Sequence, residues 1–170
     1  VRPPFDPPTE ADIAAVSKQL GRPARNVLGI SARCVCGAPT VVSTKPRLGD
    51  GTPFPTLYYL SHPAATAAVS TLEATGYMPR YAAELEAEEE LAAAYRAAHE
   101  SYLADRESIE HVDEIEGISA GGMPTRVKCL HALVGHSLAA GEGVNPIGDR
   151  ALAASGWSPA VCACGDDAWG

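Results

Sequence analysis

The sequence predicts an α+β fold: a short three-stranded antiparallel sheet at about residues 26–61, packed by helices from the N-terminus and from the C-terminal two thirds. Three observations predict it. Short β-branched or aromatic runs cluster at 27–31, 40–43 and 56–60, parted by Cys-Gly-Ala-Pro and Gly-Asp-Gly-Thr-Pro turns. Helical spacing of apolar residues occupies 10–20 and most of the chain after Pro63. Strands grouped before helices, instead of alternating with them, argue against a parallel α/β sheet, and no internal repeat is present.

Residues 1–8 hold four prolines, which lack backbone donors, and read as an extended arm. A helix over 10–20 follows: Thr9 caps it, Asp12 lies in its first turn, Ile13, Val16 and Leu20 recur at helical spacing, and Gly21 stops it. After the strands, Pro63 opens a helix that Gly76 closes, with Ala67, Val69 and Leu72 as core candidates. A longer helical segment spans about 79–112, with Leu91, Tyr95, Ala98, Tyr102, Ile109 and Val112 on one stripe and a break expected near Glu88. A glycine-rich loop at 117–123 leads to Pro124 and a helical stretch ending near Gly141, and Asn145-Pro146 starts a last helix to about Ser155. The expected organisation is an arm at 1–8, one globular domain at 9–156 and a cysteine-containing tail at 157–170.

The net charge of −8 is unevenly spread: residues 81–116 carry −10 and the rest +2. That balance makes nucleic acid a poor partner. The acidic 79–112 helix reads first as a solvated face, and second as a docking surface for a basic protein partner. No stretch is long enough to span a membrane, and the first residues lack a basic segment followed by an apolar run, so no membrane contact and a cytoplasmic location are expected. Five cysteines, an odd number arranged as two C-x-C pairs and a single, suit metal ligation in a reducing compartment better than disulfides.

Those cysteines carry the chemistry. Cys34-Val35-Cys36-Gly37 ends the first strand, where residues two apart share a side and the glycine permits a tight turn, so two thiolates can converge on one ion. Two more ligands must come from His62, from Cys129-Leu130-His131, or from Cys162-Ala163-Cys164. In a regular helix Cys129 and His131 stand about 200° apart. Either the helix starts at Cys129, leaving it extended or as an N-cap, or only one of the two is a ligand. The leading set is Cys34, Cys129 and His131, completed by His62 or Cys36, with Cys162 and Cys164 in reserve. His136 lies about 10 Å along the axis from Cys129 and is left out.

A second candidate is an anion site. The loop 117–122 mimics the glycine spacing of a phosphate loop, but Met123-Pro124 stands where Lys-Ser/Thr would be. Gly121 and Gly122, with Arg126 and Lys128 read as a helix first turn, would favour a phosphorylated small molecule. No G-x-S-x-G, H-E-x-x-H or catalytic-cysteine context is present, so no catalytic residue is nominated.

The run Gly51-Thr-Pro-Phe-Pro-Thr-Leu-Tyr-Tyr-Leu60, then Ser70 to Gly76, Gly121-Gly122 before Arg126-Val-Lys-Cys-Leu-His131, and Gly143-Val-Asn-Pro-Ile-Gly148 resemble domain-of-unknown-function family 501, common in actinobacteria. The resemblance covers roughly 10–155 and is silent about activity. In the family pattern the position of Cys34 is typically Cys, and that of His62 is often Cys within Thr-Cys-Pro, where this chain has Ser61-His62-Pro63. That exchange suits zinc and disfavours an iron–sulfur cluster. The expectation is a zinc protein of binding or regulatory role, the alternative being a small metal-dependent or phosphate-directed enzyme. Ligand count separates them: four protein ligands close a structural site, whereas three leave room for water.

Overall fold

A computed structural model describes residue 3 and residues 5–165 of the chain. The remaining parts of the expected arm and tail, residues 1, 2, 4 and 166–170, lie outside the described residues. Helix α1 (Glu10–Leu20) starts with a reciprocal capping box, Thr9 and Asp12 each accepting the other's backbone N–H, and ends on Gly21 at φ 69°. Strands β1 (Val27–Arg33), β2 (Pro39–Thr44) and β3 (Tyr58–Leu60) form the expected antiparallel sheet in sequence order. Ahead of α1, Asp6 makes an isolated antiparallel bridge to Ile30.

Strand β2 is buried along its whole length because both faces of the sheet are covered. Ile30 and Val42 pack on Val16 of α1. Val41, Tyr58 and Leu60 face the larger core with Leu130, Leu133 and Val134. The pairings Val41 to Leu60 and Val42 to Tyr59 place alternate residues in the two cores, as the two-residue period of a strand requires. Arg33 locks α1 to the sheet by a two-pronged ion pair with buried Asp12, at 2.7 and 3.0 Å. Its hydrogen bonds hold the Asp12 carboxyl at about 2, against the opposing effect of burial.

Helix α2 (Pro63–Ala74) is followed by α3 (Tyr77–Ala87) and α4 (Glu89–Glu107), with the break at Glu88. Core residues Leu85 and Leu91 are six apart, so an unbroken helix would turn Leu91 about 120° away from Leu85. One extended residue, Glu88 (φ −115°, ψ 100°), resets the phase. From there Leu91, Tyr95, Ala98 and Tyr102 line the buried stripe, which ends on buried Arg106, whose guanidinium donates to the carbonyls of Pro55 and Ile115, both at 2.8 Å. The acidic face is partly neutralised from within, since Arg150 pairs with Glu84 and Glu88. No helix among the described residues is long and apolar enough to cross a membrane.

Helix α5 (Leu130–Ala140) lies against β3 and α6 (Pro146–Ser155) lies against α5. Both approaches depend on glycine. A Cβ on Gly135 would meet the Tyr58 carbonyl at 2.9 Å, and one on Gly148 would overlap the Leu133 carbonyl. Buried His136 stacks on Tyr58 and meets Tyr102 edge-on, with ring centroids at 5.7 and 5.0 Å. Asn145 caps α6 by accepting from Gly148 and donates to His136 Nδ1 at 3.1 Å, which leaves the ring proton on Nε2.

Candidate metal centre

The β1–β2 connection builds the first half of the site. Cys34 donates its amide to the Ala38 carbonyl, Gly37 donates to the Cys34 carbonyl, and Gly37 takes φ 93°, which turns the chain within four residues. Arg33 pins this turn by donating to the Gly37 carbonyl at 3.0 Å. The tail supplies the second half. The Pro159 carbonyl accepts the Val35 amide at 2.8 Å, carrying the chain after α6 back to the turn.

The result is a four-thiol group. The sulfurs of Cys34, Cys36, Cys162 and Cys164 all lie within 4.8 Å of one another, and Cys36 and Cys164 are 3.5 Å apart. Four thiolates placed tetrahedrally at about 2.3 Å from one zinc stand about 3.8 Å apart, so one ion fits among them. A multinuclear iron–sulfur cluster spreads its thiolates over several metal atoms and needs a wider spacing. The thiols also perturb one another. The Ala38 amide, foremost, and the neighbouring sulfurs bring Cys36 down to about 7, while burial and the same neighbours push Cys164 up. Such a group ionises fully only around a cation.

His62 is placed beside this group in a different role from the one expected of it. It is the N-cap of α2, and its Nδ1 accepts the Ala65 amide at 3.4 Å. The ring proton of the neutral form is then on Nε2, which stands 3.0 Å from Cys164 Sγ and donates to it. Burial lowers the basicity of His62 and favours that neutral form. A nitrogen that carries a proton has no lone pair for a metal, so in this tautomer His62 faces Cys164 as a hydrogen-bond donor. A pocket of about 230 Å³ opens between Gln19, Pro63, Ala64 and Cys164 beside it.

Cys129 and His131 do not join Cys34. They form a separate group with Glu73, its donor atoms again within 4.8 Å of one another. The donors expected at one centre thus fall into two groups, and Cys162 and Cys164, held in reserve by the sequence, stand in the first. Cys129 is the extended N-cap of α5 (φ −150°, ψ 106°), which removes the opposed orientation that a regular helix would impose on Cys129 and His131. Burial works to raise the Cys129 thiol, but His131 and the Ala132 amide outweigh it and leave it lowered. The Cys129 sulfur, with Glu73, correspondingly raises His131 against the effect of burial.

The candidate anion loop differs from its expected form. Helix α5 begins at Leu130, so Arg126 and Lys128 precede it and are not in its first turn. Three amides at the end of the loop are used internally: Met123 donates to Ala120, Arg126 to Gly122 and Lys128 to Gly121. The Leu130 amide, at the helix start, donates to Glu73. The physical reason is the tight packing of the two glycines: Cβ atoms on Gly121 and Gly122 would run into Leu133 and the Arg126 backbone.

The family model described as protein of unknown function (DUF501) matches residues 30–153. The chain belongs to this family. Within the matched DUF501 segment lie Cys34, Cys36, His62, Glu73, Cys129 and His131, whereas Cys162 and Cys164 lie beyond it. No curated protein and no solved structure matches the chain. Glu73 is the candidate donor that sequence reasoning missed. It is the sole charged residue of α2, and that isolation at the end of an alanine-rich helix was the available signal.

Proposed function

We propose that this protein binds one zinc ion at Cys34, Cys36, Cys162 and Cys164, and that the ion serves a binding or regulatory role by fastening the C-terminal tail to the sheet. The convergence of four sulfurs within 4.8 Å from two C-x-C pairs carries the reading. Four protein ligands leave no position for substrate, which favours a structural ion over a catalytic one. Because the tail reaches the β1–β2 turn through these residues, metal binding is linked to its docking. The test is native mass spectrometry and elemental analysis of protein purified without chelator, alongside Cys36→Ser and Cys164→Ser. Each change should remove the ion and release the tail to proteolysis. A folded wild type free of metal overturns the reading.

A second reading, an anion cleft at 117–128, is favoured by one observation. Arg126 and Lys128 form no ion pair among the described residues and line a cleft of about 420 Å³ with Gly121 and Gly122. With the Met123, Arg126 and Lys128 amides already used, binding would rest chiefly on the two cations, which makes any phosphate affinity weak and sensitive to salt.

A further inference from the structure

We propose that Glu73, Cys129 and His131 form a second metal site, independent of the four-cysteine centre, that holds a zinc ion with three protein ligands and an open fourth position. The argument begins with the histidine. His131 Nε2 lies 3.3 Å from the Thr66 carbonyl and 3.1 Å from Ser70 Oγ. A carbonyl oxygen only accepts, so Nε2 carries the proton. In the neutral ring Nδ1 then bears a lone pair. That lone pair faces Glu73 Oε1 at 3.0 Å, with Cys129 Sγ in the same group. Three groups with lone pairs thus point at one place, where a shared proton or a metal ion can hold them together, and the three-donor set is the one a metal ion takes. A ring nitrogen tied to a backbone carbonyl while its partner nitrogen faces outward is also the usual support of a metal-bound histidine.

The supporting structure is equally specific. Glu73 Oε2 accepts the Leu130 amide at 3.0 Å, which fixes the carboxylate and turns Oε1 toward the histidine. The extended conformation of Cys129 swings its thiol to the side that His131 faces. The three donors come from the end of α2 and the start of α5, so the ion would clamp these two helices together.

The open position follows from the ligand count and the exposure. His131 and Glu73 keep 26% and 23% of their side-chain surface, so water reaches the site. One thiolate and one carboxylate neutralise the charge of a divalent ion, leaving a neutral centre whose fourth position takes water or another small neutral donor such as imidazole. Binding releases the Cys129 thiol proton to solvent and involves no redox step.

Zinc added to the full-length protein and counted by native mass spectrometry separates the two centres. The expected result is a second ion in wild type that is lost in His131→Asn and Glu73→Gln but kept in Cys36→Ser. Cobalt in place of zinc should give a thiolate-to-metal absorption in Cys36→Ser that disappears when Cys129→Ser is combined with it, and added imidazole should shift its visible bands. If His131→Asn keeps every ion that wild type holds, the second site is overturned while the four-cysteine reading stands. If the sole ion leaves with His131→Asn and stays in Cys36→Ser, the reverse holds. A folded, metal-free wild type whose Cys129 reacts rapidly with iodoacetamide at neutral pH would replace the ion with a proton, as an imidazolium–thiolate pair. Unshifted cobalt bands in imidazole would overturn the open position.

Discussion

The imidazole of His62 and the thiol of Cys164, 102 positions apart in the chain, approach to 3.0 Å. His62 caps α2 with one nitrogen and supports a tail cysteine with the other, and its ring also lies against Trp157, with centroids at 5.4 Å. One side chain therefore couples the start of a helix to the docking of the last described residues.

From that contact a graded metal phenotype is expected. His62→Ala should retain zinc at the four cysteines but bind it roughly 10–100-fold more weakly, the usual cost of losing a group that supports a metal ligand. Cys164→Ser should lose the ion outright. Competition against a chromophoric zinc chelator reads both, and complete loss of metal in His62→Ala would make the histidine a ligand.

Acid stability should depend on His136. Burial away from water lowers its pKa to about 4, from an ordinary 6.5. An unfolded chain takes up this proton at a higher pH than the folded one, so the folded state is favoured above pH 6.5 and loses ground as the pH falls toward 4. The accumulated loss is about 3 kcal/mol. Urea titrations of wild type and His136→Gln from pH 7 to pH 4 should show a shallower decline in the variant. Parallel curves would mean that His136 titrates as in the unfolded chain.

Two packing changes should differ in size. Gly148→Ala places a methyl against the Leu133 carbonyl and the Ser137 hydroxyl, where α6 crosses α5, and overpacking of this kind costs about 1–3 kcal/mol or more. Tyr95→Phe removes one hydrogen bond, from the phenol to the Arg126 carbonyl at 2.7 Å, and should cost about 1 kcal/mol. Thermal melts rank them, and a larger loss in Tyr95→Phe would reverse the assignment. Replacing exposed Glu89 should change little.

The loop cations predict a weak, charge-driven affinity. Phosphate titrated calorimetrically at low salt should bind wild type, fade as salt is added, and fail to bind Lys128→Glu. Zinc content should be the same in both proteins. Equal heats in the two would remove Lys128 from any anion site.

The elements of the fold were legible because their signals are local. Thr9 and Asp12, Pro63, Asn145-Pro146 and the glycine stops act on their own turn of helix, and the helix ends they mark lie within two residues of where the sequence places them. The break at Glu88 was also readable, since the phase of Leu85 and Leu91 is arithmetic on one chain. The extended state of Cys129 was one of two alternatives that helix geometry left open.

The sequence by itself determined the α+β architecture, the order of the sheet and the residue types able to bind a metal. Only the tertiary structure decided which of them meet. Spacing says that Cys34 and Cys36 share a side, but not that the Pro159 carbonyl brings Cys162 and Cys164 to them across more than a hundred residues. Nor does it say that Glu73, a lone acid at the end of α2, faces Cys129 and His131. Capping, periodicity and turn chemistry are interactions between near neighbours, and the order of residues contains them. Ligand sets close over distances set by how helices pack on the sheet, and that packing depends on contacts such as Gly135 on Tyr58 and Gly148 on Leu133, which no local pattern encodes.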